Sequence, residues 1–286
     1  MRESVLRFMF LALLLSLTAC KTTGSVNEPV GKYFNGNATS EQVVSLASEL
    51  RTQLVDPENT IMMVYNHGTD WGGKFQDCLP DTMPTFIKTW GYAGIDGRNV
   101  VIFYLCSQEA EDRNAMGKAR SIENEAILDR LLAAGVPAQN IFVIGHSGGA
   151  STALLTAERA SEKFNSVIVS APGYGFAWLE AEGEGSNFLD IEYSKWKTEL
   201  AGVDDMSGYV LLYEGDTWAP PSDASFLSRH PQVVVETVRD ADGDGFLCPG
   251  EDEPHFYWWT GCFRANYLAD VEAFVIDRLN NRRHVI

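Results

Sequence analysis

From residue 41 onward, short apolar runs alternate with stretches whose apolar positions recur every three or four residues. The runs are Ile61–Tyr65, Val100–Leu105, Ile141–Ile144, Ser166–Val169, Tyr209–Tyr213 and Gln232–Val238. Val100-Val101-Ile102-Phe103-Tyr104-Leu105 is unbroken, the pattern of a strand covered on both faces, as in a parallel sheet. The helical stretches are Glu41–Leu54, Arg113–Ala134, Ala150–Lys163, Ser222–Ser228 and Arg264–Leu279. Thr39 and Gln42 stand at capping-box spacing for the first of these. Gly135, with Pro137 beyond it, stops the second. In the last, Leu268, Val271, Val275 and Leu279 share one helical face. This alternation predicts an α/β fold, a mostly parallel sheet of about six strands flanked by helices. There is no internal repeat and no heptad pattern. Residues 173–206 interrupt the rhythm with Trp178, Phe188, Tyr193 and Trp196 among acids and glycines, and no strand pattern. They read as a small inserted flap or cap, or as a long irregular connection.

The N-terminus follows a different logic. Arg2 and Arg7 precede a short apolar run, Phe8–Leu17. Ten residues of helix rise only about 15 Å, too little to span a bilayer, so the run reads as the core of a signal peptide. Leu17-Thr18-Ala19-Cys20 resembles the lipobox of bacterial lipoproteins, which implies cleavage before Cys20 and lipidation of that cysteine. By the same resemblance, Lys21 in place of Asp favours the outer membrane. The expected organisation is a signal peptide over 1–19, a lipid-anchored tether over 20–38 rich in Gly, Asn, Thr and Ser, and a folded domain over 39–286. The expected location is the cell envelope, facing the periplasm or the surface.

Composition narrows the function classes. The 286 residues are 45% apolar, with seven Trp, ten Tyr and fifteen Phe, enough for one packed core rather than a disordered chain. Lys and Arg number 22 against 39 Asp and Glu, a formal net charge of −17. Such a chain repels phosphate backbones, so no nucleic-acid partner is expected. Apart from Cys20, the cysteines are Cys78, Cys106, Cys248 and Cys262. An even number in an exported chain predicts two disulfides, with three pairings open. No CxxC spacing occurs, which removes support for a zinc cluster.

Gly145-His146-Ser147-Gly148-Gly149 joins the apolar run Ile141–Ile144 to a helical stretch. That is the strand–turn–helix context of a nucleophile elbow, in which a serine sits on a turn too tight for larger neighbours. The arrangement resembles the α/β-hydrolase family from about residue 60 to the C-terminus. The resemblance implies Ser147 as nucleophile, with two backbone N–H groups as an oxyanion hole. Asn66-His67-Gly68-Thr69 after the first run resembles the family's His-Gly turn, so Thr69 and Gly148 are the expected donors. An acid is expected after a later strand. Asp216 in Glu214-Gly215-Asp216 is chosen over Glu214, because Gly215 frees the chain just before it. Of five histidines, His67 and His146 belong to the two turns, and His284 lies at the tail. His230 precedes the run Gln232–Val238 and so falls at the opposite end of a parallel sheet, which leaves His255, after that run, to complete the order Ser, Asp, His. The implied triad is Ser147, Asp216 and His255, with no organic cofactor. Cys78 and Cys106 both follow strands that are neighbours in this family, which makes them a reasonable pair and leaves Cys248 with Cys262, bracketing His255.

Asp240-Ala241-Asp242-Gly243-Asp244-Gly245, with Glu251 at the twelfth position, fits the EF-hand loop pattern. Asp240, Asp242, Asp244, the carbonyl of Phe246 and Glu251 are the expected calcium ligands over 240–251. A strand rather than a helix leads in, so the expectation is a stand-alone loop that holds His255 in register. The resulting reading is a membrane-anchored serine hydrolase acting by acyl transfer on a small-molecule or lipid-like carboxylic ester. Trp71, Trp218, Trp258 and Trp259 lie close in sequence to the site residues and suggest an aromatic-lined pocket. A peptidase or thioesterase would use the same residues. A non-catalytic calcium-binding surface module on a hydrolase scaffold is the reading from another class.

Overall fold

The computed structural model describes residues 28–35, 43–68, 78, 82–107, 116–173, 186–240, 247–248 and 253–281. Eight strands form one sheet: β1 (Val30–Phe34), β2 (Val44–Ser45), β3 (Thr60–Asn66), β4 (Asn99–Leu105), β5 (Ile141–His146), β6 (Ser166–Ser170), β7 (Ser207–Tyr213) and β8 (Gln232–Val238). Their order is β2-β1-β4-β3-β5-β6-β7-β8. Strands β3 to β8 run parallel, whereas β1 is antiparallel to both β4 and β2. This is the α/β-hydrolase fold, with two more strands than the apolar runs predict. Of the additional pair, β1 comes from the segment expected to be a tether and β2 from the start of the stretch Glu41–Leu54 expected to be helical. Tyr33 and Phe34 are buried in β1, and Gly31 lies so close to β4 that an added Cβ would sit 2.3 Å from the Tyr104 carbonyl oxygen. Composition alone hid β1, because Gly31 and Lys32 interrupt its apolar residues.

Alternate residues of each interior parallel strand face opposite apolar layers, which is why those runs are continuously apolar, whereas the edge strand β8 is only partly buried. Met62 and Val64 belong to one apolar layer, and Ile61, Met63 and Tyr65 to the other. The first layer is covered by α1 (Leu46–Gln53), α3 (Met116–Ala133), α4 (Gly148–Ala160) and α5 (Ser186–Ala201). The second is covered by α2 (Thr85–Ala93) and α8 (Leu268–Asn280), which contributes Val271, Val275 and Leu279. Helix α1 starts later than its pattern suggests. Ser45 caps it by accepting from the Ser48 N–H at 3.2 Å, while Thr39 and Gln42 lie outside the described residues. Residues 221–229 form the short α6 (Pro221–Ala224) and one 3-10 stretch, and α7 (Gly261–Asn266) precedes α8.

The segment 173–206 contains α5, an ordinary crossover helix between β6 and β7. Its Trp196 and Leu200 are buried in the first layer, so this half packs as scaffold rather than as a flap. Residues 174–185 lie outside the described residues. The cysteines pair as Cys78–Cys106 and Cys248–Cys262, with Cα separations of 5.1 and 5.8 Å. The first ties the connection after β3 to the end of β4. The second closes a loop around residue 255.

Candidate active site

Strand order reverses between β3 and β5, which carry the chain to opposite sides. A crevice outside the carboxyl ends of parallel strands opens at such a switch point. His67-Gly68 leaves β3 there, and Ser147 leaves β5 beside it: a Cβ on Gly68 would lie 3.2 Å from the Ser147 Cβ. Ser147 has φ 53° and ψ −124°, a left-handed backbone rare for a residue with a side chain. The surrounding structure enforces it. The Ser147 N–H donates to the Ser170 carbonyl at 3.0 Å, and its own carbonyl accepts from Ala150 and Ser151 as α4 begins. The flanking glycines are sterically required. A Cβ on Gly145 would lie 2.1 Å from the Gly149 carbonyl oxygen, and one on Gly149 would lie 2.1 Å from that of Asn66. Gly148 opens the thirteen-residue α4, so its N–H belongs to the positive end of a helix dipole.

Two strands along, the Glu214 N–H still pairs with the Val238 carbonyl at 2.9 Å, continuing the sheet. Gly215 then turns the chain with φ 81° and buries Asp216. Asp216 Oδ1 accepts from the Trp218 and Ala219 N–H groups, each at 2.9 Å. Its Oδ2 lies 2.8 Å from His255 Nδ1. His255 is buried on the 3-10 turn Pro254–Trp259, which Glu253 caps by accepting from the His255 N–H at 3.4 Å. The fold therefore brings Asp216 and His255 into direct contact on the sheet edge that carries Ser147. Glu214 points elsewhere and accepts from the Asp240 N–H at 3.2 Å. Of the remaining expected residues, Cys20, Thr69, Asp242, Asp244, Phe246 and Glu251 lie outside the described residues. Among the described residues no group of three metal-ligating side chains converges. The four tryptophans divide. Trp258 is buried in the core against Phe86, Trp218 and Trp259 stand by the two histidines, and Trp71 lies outside the described residues.

Two further residues join the site. Arg120 on α3 is fully buried and donates from Nη1 to the His67 carbonyl at 3.0 Å, clamping the turn after β3. Burial lowers its guanidinium to about 10, which leaves it charged at neutral pH beside the buried Glu123. The signal was present in the sequence: Arg120 and Asn124 precede Ile127 and Leu131 on the core-facing stripe of α3. The second is His146, whose ring lies 4.7 Å from that of His255. Its Nδ1 lies 3.4 Å from Ser170 Oγ, which in turn shares a 2.6 Å hydrogen bond with the Tyr213 hydroxyl. Its buried Nε2 has no hydrogen-bond partner among the described residues.

Burial, and then the neighbouring His255, hold the His146 imidazole well below its usual range, so the folded protein carries it neutral. The unfolded chain gains that proton below about pH 6.5. Stability from this group is therefore complete above that pH and lost as pH falls beneath it. We expect His146→Phe to show a smaller drop in Tm between about pH 7 and pH 5 than the wild type. Equal drops would mean that His146 is protonated in the folded state.

No family model matches the sequence, and no curated protein matches it. Solved structures do. A structure from a study of two prolyl endopeptidases superposes with a TM-score of 0.59 at 12% identity, over 88% of this chain. This chain spans only 39% of that protein's length. An esterase from Pyrobaculum calidifontis gives 0.52 at 15% identity, covering 80% of this chain and 78% of its own. Est1E from Butyrivibrio proteoclasticus gives 0.51 at 11% identity, covering 79% and 91% respectively. At these identities the likeness is one of fold.

Proposed function

We propose that this protein is a serine hydrolase that transfers an acyl group first to Ser147 and then to water. The carrying observation is the 2.8 Å contact between buried Asp216 and His255 Nδ1, on the sheet edge where Ser147 occupies a left-handed elbow. In this reading Asp216 fixes the His255 tautomer with its proton on Nδ1, leaving Nε2 free to accept. Ser147 Oγ attacks the substrate carbonyl and gives its proton to Nε2. The Gly148 N–H, with that of Thr69, receives the developing oxyanion, and one such donor is worth ~2.7–4 kcal/mol of barrier. His255 then returns the proton to the leaving group. In the second half it deprotonates a water that attacks the acyl carbon, and Ser147 leaves with the proton. Carboxylic esters are the substrate class assigned, because an alkoxide is expelled from the tetrahedral intermediate more readily than the amide anion of a peptide and so asks less of the general acid. Peptides and thioesters would pass through the same steps.

The test is intact-mass analysis of the domain after exposure to an uncharged fluorophosphonate. One adduct, mapping to the peptide of Ser147, is the expected result. No adduct on folded protein overturns the proposal.

The export reading belongs to the same proposal, with Cys20 lipidated and the domain held at the envelope membrane. So does calcium at 240–251, held by Asp240, Asp242, Asp244, the Phe246 carbonyl and Glu251. Two anchors support it, at the loop's start and at Cys248 within it. Its first residue hangs from Glu214 through the Asp240 N–H, and Cys248 is tied to Cys262, so a bound ion would brace the path from β8 to His255. A chelator is expected to lower Tm and slow Ser147 labelling together, and Asp242→Ala should match the chelated wild type. Identical Tm values in all three states would remove calcium from the account.

A further inference from the structure

The chain enters the fold at the sheet edge that carries Ser147. A row of paired residues crosses the sheet from β1 to β5: Lys32 lies opposite Tyr104, Tyr104 opposite Tyr65, and Tyr65 opposite Ile144. Ser147 comes three residues after that row. Because β1 runs antiparallel to β4, its residues on the same side of the row are the ones that precede it, Val30 and Pro29. The Val30 carbonyl accepts from the Cys106 N–H at 2.9 Å, just past the carboxyl end of β4. Only β4 and β3 stand between β1 and β5, which makes three strand spacings, or about 14 Å. The entry is pinned as well. The Pro29 carbonyl accepts from the Leu46 N–H at 2.9 Å, and the Glu28 carboxylate accepts from the Ala47 N–H at 3.0 Å and pairs with Arg130. Helix α8 ends at the opposite edge, where the Arg278 carbonyl accepts from the Asn165 side chain at 3.1 Å, one residue before β6 begins.

Chain length turns this register into an orientation. Glu28 stands eight residues after Cys20, and eight residues span at most about 29 Å even when fully extended. A compact domain of this chain length is about 45 Å across. With the Ser147 edge facing away from the membrane, Glu28 would stand nearly that whole width above the surface. A lipid on Cys20 cannot reach so far, so the Ser147 edge lies beside the bilayer or against it. An ester dissolved in water gains nothing from this placement. An ester resident in the same membrane is held at high effective concentration beside the nucleophile.

We propose that the lipid on Cys20 turns the Ser147 edge toward the membrane that holds it, so that the hydrolase acts on esters resident in that membrane. This rests on the hydrolase reading and on lipidation of Cys20, and the test separates all three. The lipidated protein is placed in phosphatidylcholine vesicles whose headgroups carry an acceptor dye. A donor dye is attached to Ser147 through a fluorophosphonate. In a second preparation it is attached through Glu58→Cys, on the exposed turn before β3 at the opposite edge. Energy transfer is expected to place the Ser147 dye nearer the bilayer by about 20 Å, roughly the length of a seven-residue strand. Moving the lipid to the C-terminus, with Cys20→Ser and a spacer of equal length, should reverse the order. A fluorophosphonate held in the vesicles by two alkyl chains should modify Ser147 about tenfold faster with the native anchor than with the C-terminal one. A water-soluble fluorophosphonate should not distinguish the two anchors. Equal heights, or a nearer Glu58→Cys dye, overturn the orientation. A bilayer-held probe that reacts equally fast with both anchors overturns the membrane-resident substrate. If the water-soluble probe leaves folded protein unmodified, the hydrolase reading has failed. If the mature protein's intact mass shows no lipid on Cys20, the export reading has failed, and in either case this inference falls with it.

Discussion

Replacing Ser147 with alanine is expected to lower kcat/KM for ester hydrolysis by roughly 10⁵- to 10⁶-fold and to abolish phosphonate labelling. The size follows from what the serine is asked to do. Without the hydroxyl there is no acyl-enzyme, and only the oxyanion donors and binding remain, which by themselves give a small residual rate. The backbone offers an independent check. At φ 53° and ψ −124° a side chain at residue 147 carries strain of about 1–3 kcal/mol, which a glycine would not feel. Ser147→Gly should therefore be as inactive as Ser147→Ala yet more stable than it by about 1 kcal/mol, after the glycine's greater unfolded-state entropy is set against the relief. Denaturant melts of the two inactive proteins measure this directly. If the alanine variant were the more stable, the elbow would not be held under tension.

The strands of this fold were the most legible part of its sequence. A parallel strand covered on both faces must be apolar throughout, and five of the six runs carry little else, the exception being the edge strand β8 with Gln232, Glu236 and Thr237. What escaped did so for local reasons. In β1, Gly31 is demanded by the approach to Tyr104, and it breaks the apolar signal of Tyr33 and Phe34. Helix α2 buries Phe86, Ile87 and Trp90 in only nine residues after Pro84, too short a stretch for its period to stand out. In the described half of helix α5 the buried residues are Trp196 and Leu200 among polar neighbours, so a scaffold element reads as an insertion. In the site, chain order together with position before or after a strand could single out His255, and the glycine before Asp216 could favour that acid, because these are constraints along the chain. The roles of Arg120 and His146 depend on what lies across space. One supports a carbonyl fifty-three residues away, and the other packs at a tilt against a ring that reaches it only through the fold.

Asp216→Asn is expected to lower kcat roughly 10⁴-fold with little loss of structure, whereas Glu214→Gln should be nearly silent. The reason lies in the two oxygens of Asp216. Oδ1 accepts from the N–H groups of Trp218 and Ala219, which only an oxygen can do, so an asparagine must place its carbonyl oxygen there. Its NH₂ is then forced to face His255 Nδ1 across the position now occupied by Oδ2 at 2.8 Å. A donor facing Nδ1 selects the tautomer that carries its proton on Nε2. That tautomer presents a proton to Ser147 instead of a lone pair, and the base is lost without moving an atom of the scaffold. Glu214 has no such link, since its carboxylate is exposed and engaged with the Asp240 N–H. Because the defect is one of proton placement, it should ease at high pH, where hydroxide can remove the serine proton without His255. A pH–rate profile of Asp216→Asn that rises steadily into the alkaline range would confirm it. A variant with full activity at neutral pH would transfer the acid's role away from Asp216.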